Sequence, residues 1–250
     1  MTLAVVTGGE SGIGAACAVR LAKAGADVVI TYHRDTKLAE EVIERVRFEG
    51  RQGLAVQCDV SSEKDVAALF DASGTLGTCR WLVNSAGVNM AGIPVEKMEL
   101  ERFERTVATD LAGPFLTCRE FVRRAGGQGG RIVNISSIHA FAPRAGGVDY
   151  DSAKGGLSQL TRTLALELAP REIAVNGVAP GMILTPMNEE VIEDADALRQ
   201  REAAIPWGRA GRAEEVAELV AFLLSPAADY ISGTTVTIDG GLSLTLAQGA

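Results

Sequence analysis

The stretch LAVVTGGESGIG, residues 3–14, decides the fold class of this 250-residue chain. It joins a short apolar run to a glycine-rich turn, and residues 13–24 then repeat apolar side chains at helical spacing. A buried strand, a tight turn and a helix in this order are typical of the first half of a βαβ unit. Glycines there let backbone N–H groups approach a pyrophosphate at the positive end of the helix. We therefore predict a dinucleotide-binding turn, although glycines also occur in ordinary βα turns.

The rest of the chain alternates strand-like and helix-like segments. Further strands are predicted at 27–32, 54–57, 81–84, 131–136, 174–178 and 234–238, and helices at 36–49, 62–73, 99–124, 149–169, 189–204 and 213–224. Gly113-Pro114 is expected to kink the third of these helices. Strands separated by helices of this length form crossovers, and hence a parallel sheet covered on both faces. The prediction is an α/β fold: one doubly wound, Rossmann-type domain over residues 1–250.

Composition excludes several classes of protein. Hydrophobic residues make up 47% of the chain, which rules out intrinsic disorder. The formal net charge is −8 with no basic block, so neither nucleic acid nor an anionic membrane is an expected partner. The chain starts without a signal-like leader and has no apolar run of about 20 residues, the length that a membrane helix needs. We expect a soluble, cytoplasmic protein.

The cysteines indicate neither a metal centre nor a disulfide framework. The four are Cys17, Cys58, Cys79 and Cys118, and no two form a CxxC pair. Such spacing is typical of reduced, buried thiols. No cluster of metal-ligating residues is visible elsewhere, so no metal is predicted.

The second strand ends in TYHRD, residues 31–35, where an adenosine ribose is expected to lie. A carboxylate at this place binds both ribose hydroxyls and repels a 2′-phosphate, whereas a cation does the reverse. Arg34, together with His33 if protonated, can neutralise a 2′-phosphate. Glu10 and Asp35 are nearby acids, and Arg34 can equally be a solvated residue at a helix start. The residues favour NADP over NAD only slightly.

A second group of residues has the chemistry of a proton-transfer site. Tyr150 and Lys154 stand four apart at the start of a predicted helix, so their side chains share one face. A nearby ammonium stabilises a phenolate, which makes a tyrosine useful as a base. Ser136 and Ser137 end the fifth strand, where a hydroxyl can donate to a substrate oxygen. The alternatives are a surface tyrosine beside a solvated lysine, and ordinary turn serines. A serine nucleophile is not favoured, because no GxSxG motif is present and only His139 is near.

Several motifs occur together along nearly the whole chain. They are TGGESGIG at 7–14, NSAG at 84–87, SS at 136–137, YDSAK at 150–154, and PG at 180–181 followed by Thr185. In this order they resemble the short-chain dehydrogenase/reductase family. SSIHAFAP, DYDSAKGG, LTPMN and DGGLSL are more closely similar to the bacterial glucose 1-dehydrogenase subgroup. The resemblance implies an NAD(P)-dependent oxidoreductase that acts on CH–OH groups. Hydride would pass between a nicotinamide and a secondary alcohol, its ketone or a sugar hemiacetal.

The resemblance also implies roles for individual residues. Tyr150 would be the general acid–base group, Lys154 would hold the nicotinamide ribose and favour the phenolate, and Ser137 would orient the carbonyl or alcohol. With the residues discussed above, the predicted cofactor-binding set is Gly8, Glu10, Ser11, Gly12, Ile13, Gly14, His33, Arg34, Asp59, Val60, Asn84, Ala86, Gly87, Tyr150, Lys154, Pro180, Gly181, Ile183 and Thr185. The predicted substrate-binding residues are Ser137, His139, Tyr150, Met182 and Met187. The segment 186–204 would form a mobile substrate lid.

The chain departs from the family pattern at two positions. Ser85 replaces the second Asn of NNAG, a change of small expected effect. Asp110 stands where the family has a catalytic Asn, whose main-chain carbonyl binds a water that leads to the lysine. Asp110 can preserve that arrangement, while its charge would either raise the pKa of Lys154 or disturb the proton relay. We expect activity to be retained, although it can be lower than in the rest of the family.

Two other functions stay open. A regulatory NAD(P)-binding protein would keep the glycine turn but turn over no substrate, and Asp110 would be the sign of lost chemistry. A sugar epimerase or dehydratase also uses the YxxxK spacing, but the stretch after Gly181 is short for its C-terminal substrate domain. The family further implies a homo-oligomer, a dimer or a tetramer, formed through the helices near 99–124 and 150–169 and the last strand.

Overall fold

Parallel strands form the centre of this computed structural model, which describes residues 2–89, 92–188 and 194–247. The main strands are β1 (Leu3–Thr7), β2 (Asp27–Tyr32), β3 (Gly53–Gln57), β4 (Cys79–Asn84), β5 (Gly130–Ile135), β6 (Ile173–Pro180) and β9 (Thr235–Ile238). They pair in the order β3-β2-β1-β4-β5-β6-β9, every pair parallel. Two short strands, β7 (Ile183–Leu184) and β8 (Gly211–Arg212), form a separate parallel pair.

Helices cover both faces of the sheet. They are α1 (Gly12–Lys23), α2 (Thr36–Phe48), α3 (Glu63–Ser73), α4 (Leu100–Val107), α5 (Gly113–Arg124), α6 (Val148–Leu168), α7 (Ala195–Ala203) and α8 (Ala213–Leu224). One apolar core contains residues of α1, α2 and α8, and the other contains residues of α3, α5 and α6. Successive side chains of a strand point to opposite faces, so Val5 enters one core and Val6 the other. This double burial explains why the strands are continuously apolar, and the predicted doubly wound α/β fold is confirmed.

The strand order places a crevice at one edge of the sheet. β1 lies between β2 and β4, and Thr7 at its carboxyl end pairs with Asn84 at the end of β4. The connections from β1 and β4 then leave in opposite directions along the sheet. Ligands of open α/β sheets bind beyond the carboxyl ends of the strands at such a point.

The predicted helix 99–124 is regular at both ends but not in the middle. A π-helical turn, Ala108–Ala112, separates α4 from α5 and ends immediately before Gly113. Pro114 has no N–H to donate to the carbonyl of Asp110, and a wider turn accommodates the missing bond. The irregularity expected at Gly113-Pro114 therefore lies in the turn before it.

The predicted helix 189–204 is described only in part, because residues 189–193 lie outside the described residues. α7 begins at Ala195, where the Asp194 side chain accepts hydrogen bonds from the N–H groups of Asp196 and Ala197 at 3.0 and 3.1 Å. Such a cap fixes the start of a helix. Of the helices in the described ranges, none is both long and apolar enough to cross a membrane.

Candidate active site

A single cavity of about 1170 Å³ opens beyond the carboxyl ends of β1, β4, β5 and β6. It brings together most of the residues that the sequence singled out. Those that line it are Gly8, Glu10, Ser11, Gly12, Ile13, Gly14, His33, Asp59, Val60, Ala86, Gly87, Asp110, Ser137, His139, Tyr150, Lys154, Pro180, Gly181, Met182, Ile183, Thr185 and Met187. Residues far apart in the chain therefore share one crevice.

The glycine-rich turn has no room for a side chain at Gly8 or at Gly14. Gly8 has a φ of +61°, and a Cβ atom on it would lie 2.8 Å from the Cα atom of Ala86. A Cβ atom on Gly14 would lie 2.0 Å from the carbonyl oxygen of Gly8. Ser11 is the N-cap of α1, and among the described residues its side chain caps no backbone N–H. The first N–H groups of α1 are thus available to an anion, so the turn fits a pyrophosphate.

Tyr150 and Lys154 lie in the first two turns of α6, as their spacing predicts. The Lys154 Nζ atom is 5.4 Å from the centre of the Tyr150 ring. It donates a hydrogen bond to the carbonyl oxygen of Ile135 at 3.1 Å and lies 3.0 Å from Asp110 Oδ2. Asp110 itself is fully buried in the π-helical turn, and its Oδ1 accepts the Val88 N–H at 2.9 Å. The ammonium is therefore held at a fixed place beside the phenol.

The charge of Asp110 decides the protonation of Lys154. Burial by itself lowers the pKa of a lysine, because it penalises the charged form. Here the negative charge of Asp110, with smaller contributions from Tyr150 and from the hydrogen bond to Asp110, outweighs burial and raises the pKa of Lys154. Of the two consequences expected for this replacement, the contact with Asp110 supports the raised pKa of Lys154. The Lys154 ammonium therefore keeps its positive charge at physiological pH.

Ser137 lines the same cavity and is the second residue after β5. Its side chain is nearly buried, and its Oγ accepts the N–H of His139 at 3.2 Å. The His139 ring meets the Tyr150 ring edge-on, with ring centres 6.2 Å apart. His139 Nδ1 lies 3.0 Å from the carbonyl oxygen of Ala142. A carbonyl can only accept, so Nδ1 is the donor of this hydrogen bond. The bond fixes the ring in the wall of the cavity, where the sequence predicts a pocket-lining residue.

Two predicted cofactor residues do not line the cavity described here. Arg34 is exposed outside it. Asn84 is buried beneath the cavity floor, where its amide nitrogen donates to Asn134 Oδ1 at 2.8 Å and its amide oxygen accepts the Thr117 hydroxyl at 2.6 Å. Because its side-chain hydrogen-bonding groups are used inside the protein, the Asn84 side chain holds β4 to β5, and a cofactor contact of this residue stays a prediction.

One buried ion pair beside the site has no counterpart in the sequence reasoning. Asp149 is fully buried next to Tyr150, and its Oδ2 accepts from Arg102 Nε at 3.3 Å and from the Thr106 hydroxyl at 3.0 Å. Arg102 also donates to the carbonyl oxygen of Asn89 at 2.5 Å. The pair joins α4 to the start of α6 and so helps to position Tyr150. The acid directly before the tyrosine is visible in the sequence and could have suggested such a pair. Its partner Arg102 lies 47 positions away, and the sequence does not connect the two residues.

The comparisons with known proteins agree with this geometry. The family model described as enoyl-(acyl carrier protein) reductase matches residues 8–243. The 3beta-hydroxysteroid dehydrogenase 1 of Eggerthella lenta is 40% identical over 245 residues, which are 96% of this chain and 93% of that protein. This chain belongs to the short-chain dehydrogenase/reductase family. The glucose 1-dehydrogenase 2 of Bacillus subtilis is 36% identical over 96% of this chain and 94% of its own.

A solved structure from Agrobacterium tumefaciens, described as a putative 2-deoxy-D-gluconate 3-dehydrogenase, contains bound NADP. It has a TM-score of 0.87 and 33% identity to this chain, and the match covers 96% of both chains. The expected class, an NAD(P)-dependent oxidoreductase acting on CH–OH groups, is confirmed at the level of the family. The relatives are dehydrogenases along nearly their whole length, so neither the epimerase or dehydratase alternative nor the regulatory alternative is favoured.

Proposed function

We propose that this protein catalyses reversible hydride transfer between NAD(P) and a secondary alcohol or its ketone, or a sugar hemiacetal. The observation that carries the proposal is the Lys154 ammonium, held 5.4 Å from the Tyr150 ring inside the cavity that the glycine-rich turn also lines. A phenol beside a fixed cation is an acid–base pair, and the turn is a site for a pyrophosphate. Both are found in one crevice, with the Ser137 hydroxyl at its edge.

The residues present fit a dinucleotide. The absent Cβ atoms of Gly8 and Gly14 and the free first turn of α1 form a cradle for the phosphates. Asp59 and Val60 would border the adenine, Ala86 and Gly87 the middle of the molecule, and the stretch after Pro180-Gly181 the carboxamide. Bound NAD(P) would supply the hydride acceptor for oxidation and the hydride donor for reduction.

In the oxidative direction the substrate hydroxyl loses its proton to the Tyr150 phenolate while its carbon gives up a hydride, which leaves a ketone. Lys154 stabilises the phenolate by its charge and remains protonated, because its raised pKa is maintained by Asp110. Ser137 donates a hydrogen bond to the same oxygen and keeps it near the phenol. The protein thus orients the substrate and accepts one proton from it at Tyr150.

The substrate side of the cavity favours a ring-sized secondary alcohol. His139, Met182 and Met187 line this side, so an imidazole ring and two flexible apolar side chains would border the substrate. A cavity of about 1170 Å³ exceeds the size of an ordinary ligand pocket, which leaves room for a substrate beside a dinucleotide. The two relatives are named for a hydroxysteroid and for glucose, both of which carry hydroxyls on rings.

Three finer expectations belong to the same proposal. The segment 186–204 would close over the substrate, and its described residues Met187, Arg201 and Ala204 line the cavity.

The protein would act in the cytoplasm as a homo-oligomer. The long helices carry the exposed apolar side chains that such an interface needs, among them Leu100 and Leu166. Light scattering after gel filtration measures the oligomer: a dimer or tetramer supports this point and a monomer contradicts it.

Tyr150→Phe tests the central proposal. The wild-type protein is assayed by dinucleotide reduction with sugars, polyols, hydroxysteroids and hydroxyacyl thioesters, separately with NAD and NADP. Loss of the acid–base group should lower kcat by about 10²–10⁴-fold and leave the Kd for the dinucleotide within about twofold. Tyr230→Phe is the matched control, because Tyr230 is fully exposed and should change nothing. Unchanged turnover in Tyr150→Phe refutes the role, and binding without turnover of any compound by the wild type favours the regulatory alternative.

A further inference from the structure

One hydrogen bond joins two segments that leave the sheet from strands that are not neighbours. The side-chain amide nitrogen of Asn89, in the loop after β4, donates to the carbonyl oxygen of Met187, in the segment after β6, at 3.3 Å. In the sheet, β5 lies between β4 and β6. Neighbouring strands lie about 4.8 Å apart, so the two segments start about 10 Å apart before they meet in this bond. We call the contact between Asn89 and Met187 the bridge.

The bridge crosses the cavity beside the proton-transfer residues. Asn89 and Met187 both line the cavity, as does Ser137, the second residue after β5. A contact from the loop after β4 to the segment after β6 passes over the end of β5. The bridge thus lies over the part of the crevice in which the Ser137 hydroxyl is expected to meet the substrate oxygen.

The segment that accepts the bridge is already held at its start. β7 pairs with β8, with Ile183 opposite Gly211. After Thr185 the chain forms a single 3₁₀ turn, Pro186–Asn188, which contains the carbonyl group of Met187. Because β7 fixes where this turn begins, one further contact is enough to keep it over the cavity. The amide of Asn89 supplies that contact from the opposite wall.

Arg102 holds the backbone of Asn89 in place. Its guanidinium donates to the carbonyl oxygen of Asn89 at 2.5 Å and, through Nε, to Asp149 Oδ2 at 3.3 Å. Asp149 is fully buried, and the Thr106 hydroxyl donates to the same oxygen at 3.0 Å. A guanidinium offers five N–H donors in a rigid plane, whereas an ammonium is a compact point charge. Arg102 therefore connects the buried acid directly before Tyr150 with the loop that carries the bridge.

We propose that Asn89 is a positioning residue that retains the substrate alcohol beside Ser137 and Tyr150, and that Arg102 acts through Asn89. This inference rests on the proposed function and adds to it the residues that keep the substrate in place. The bridge acts on the alcohol and not on the dinucleotide, whose phosphates are bound at the glycine-rich turn. Its loss weakens substrate and transition state alike, so the KM for the alcohol rises while kcat stays unchanged.

Two substitutions at Asn89 separate the amide from the volume of the side chain. Asn89→Leu removes the donor and keeps a similar size, whereas Asn89→Gln keeps the amide. The probe is the compound that the wild type oxidises best among sugars, polyols, hydroxysteroids and hydroxyacyl thioesters. An ordinary hydrogen bond corresponds to about a twofold to tenfold change in an equilibrium. In Asn89→Leu the KM for this compound should rise by about that factor, with kcat and the Kd for the dinucleotide within about twofold. Asn89→Gln should have a lower KM than Asn89→Leu.

A double variant tests whether Arg102 acts through Asn89. Arg102→Lys keeps a positive charge beside Asp149, so the protein should remain folded, and its KM should rise as in Asn89→Leu. If both changes remove the same bridge, the double variant should have the KM of Asn89→Leu within about twofold. Arg162→Lys is the matched control, because Arg162 is exposed on α6 and donates to Gln159 of the same helix at 3.4 Å. It should leave the KM unchanged.

Hydrogen exchange, read by mass spectrometry, tests the bridge without any turnover. In the dinucleotide-free protein the backbone amides of residues 183–188 should exchange about twofold to tenfold faster in Asn89→Leu than in the wild type, because this segment opens more easily. Unchanged exchange or an unchanged KM in Asn89→Leu overturns the inference. Separate increases in KM that multiply in the double variant overturn the role of Arg102. These results would leave the proposed function intact, since the wild type still oxidises an alcohol. A wild type that turns over no compound would instead overturn the proposed function, and with it the role of the bridge.

Discussion

Asp110→Asn tests the ion pair that sets the charge of Lys154. The Nζ and Oδ2 atoms are 3.0 Å apart, and both side chains are almost completely buried. Removing one member of such a pair leaves an uncompensated charge and costs about 3–5 kcal/mol of unfolding free energy. Asparagine can still accept the Val88 N–H through its oxygen, so we expect a loss near the lower limit, about 3 kcal/mol. For a chain of this size the melting temperature should fall by about 6–12 °C.

The stability that Asp110→Asn loses should depend on pH in a definite direction. In the wild type the pKa of Lys154 is raised, so the pair contributes fully below the pKa of an unfolded lysine, about 10.4, and is lost only as the pH passes the raised value. In the variant, burial without Asp110 lowers the pKa of Lys154. The folded variant then binds fewer protons than the unfolded chain, and its stability rises between that lowered pKa and about pH 10.4. The stability gap between the two proteins should narrow from pH 7 to pH 10, by about 1.4 kcal/mol for each pKa unit of lowering.

Urea unfolding of the dinucleotide-free proteins, followed by circular dichroism at pH 7, 8.5 and 10, measures both effects. Asp149→Asn is the control because it also removes a buried carboxylate from an ion pair, but the partner is the partly exposed guanidinium of Arg102. Guanidinium groups keep their charge throughout this pH range. The stability deficit of Asp149→Asn should stay constant with pH. An Asp110→Asn variant as stable as the wild type, or one whose deficit does not narrow, would contradict the assignment of a charged, Asp110-stabilised lysine.

Two further predictions concern packing and the thiols. Gly14→Ala should prevent dinucleotide binding and strongly lower the melting temperature, because the new Cβ atom meets the Gly8 oxygen at 2.0 Å. Gly155 lies in the interior of α6, and a Cβ atom on it would have its nearest neighbour at 3.7 Å. Gly155→Ala should therefore be neutral or stabilise the protein by about 0.5–1 kcal/mol. A lower melting temperature for Gly155→Ala than for Gly14→Ala would refute this. All four cysteines are buried, and burial raises the pKa of each thiol to about 12. At pH 8 a thiol reagent should therefore react slowly with the folded protein and quickly with the unfolded chain. In the folded protein Cys58 should react first, because it lines the cavity.

Local patterns were sufficient to predict the fold, because each element reports its own environment. The run at Leu3–Thr7 is apolar up to its last residue and buried at every position, which only a strand covered on both faces requires. The π-helical turn was missed, since a missing N–H at Pro114 indicates that a helix must deform but not which carbonyls will widen. The small β7–β8 pair was missed for a different reason. Two residues per strand carry no periodicity, and the pairing depends on where the long connection after β6 returns.

The site could be predicted where function depends on position along the chain and not where it depends on side-chain direction. The spacing of Tyr150 and Lys154 fixes their shared helix face, and the strand ends fix the edge on which Ser137 lies. Asn84 is also at a strand end, but its side chain points into the core toward Asn134 and Thr117. Arg34 is the second residue after β2 and yet lies outside the cavity. The position of a residue in the sequence indicates its place in the fold, whereas its two or three side-chain torsion angles decide which groups the side chain contacts.

Charge partners were the least predictable feature, for a reason that applies to both acids of the site. Asp110 and Glu10 are both acids, and the sequence shows their negative charges directly. The effect of such a charge depends on whether a counter-charge lies within a few ångströms in a dry environment. Asp110 has such a partner in Lys154, so its negative charge is balanced and the catalytic lysine stays protonated. Glu10 Oε1 accepts the His33 N–H at 3.3 Å, and no described residue donates a hydrogen bond to its Oε2. Two acids that look alike in the sequence therefore differ in the structure, because a buried counter-charge lies beside one of them and none is described beside the other.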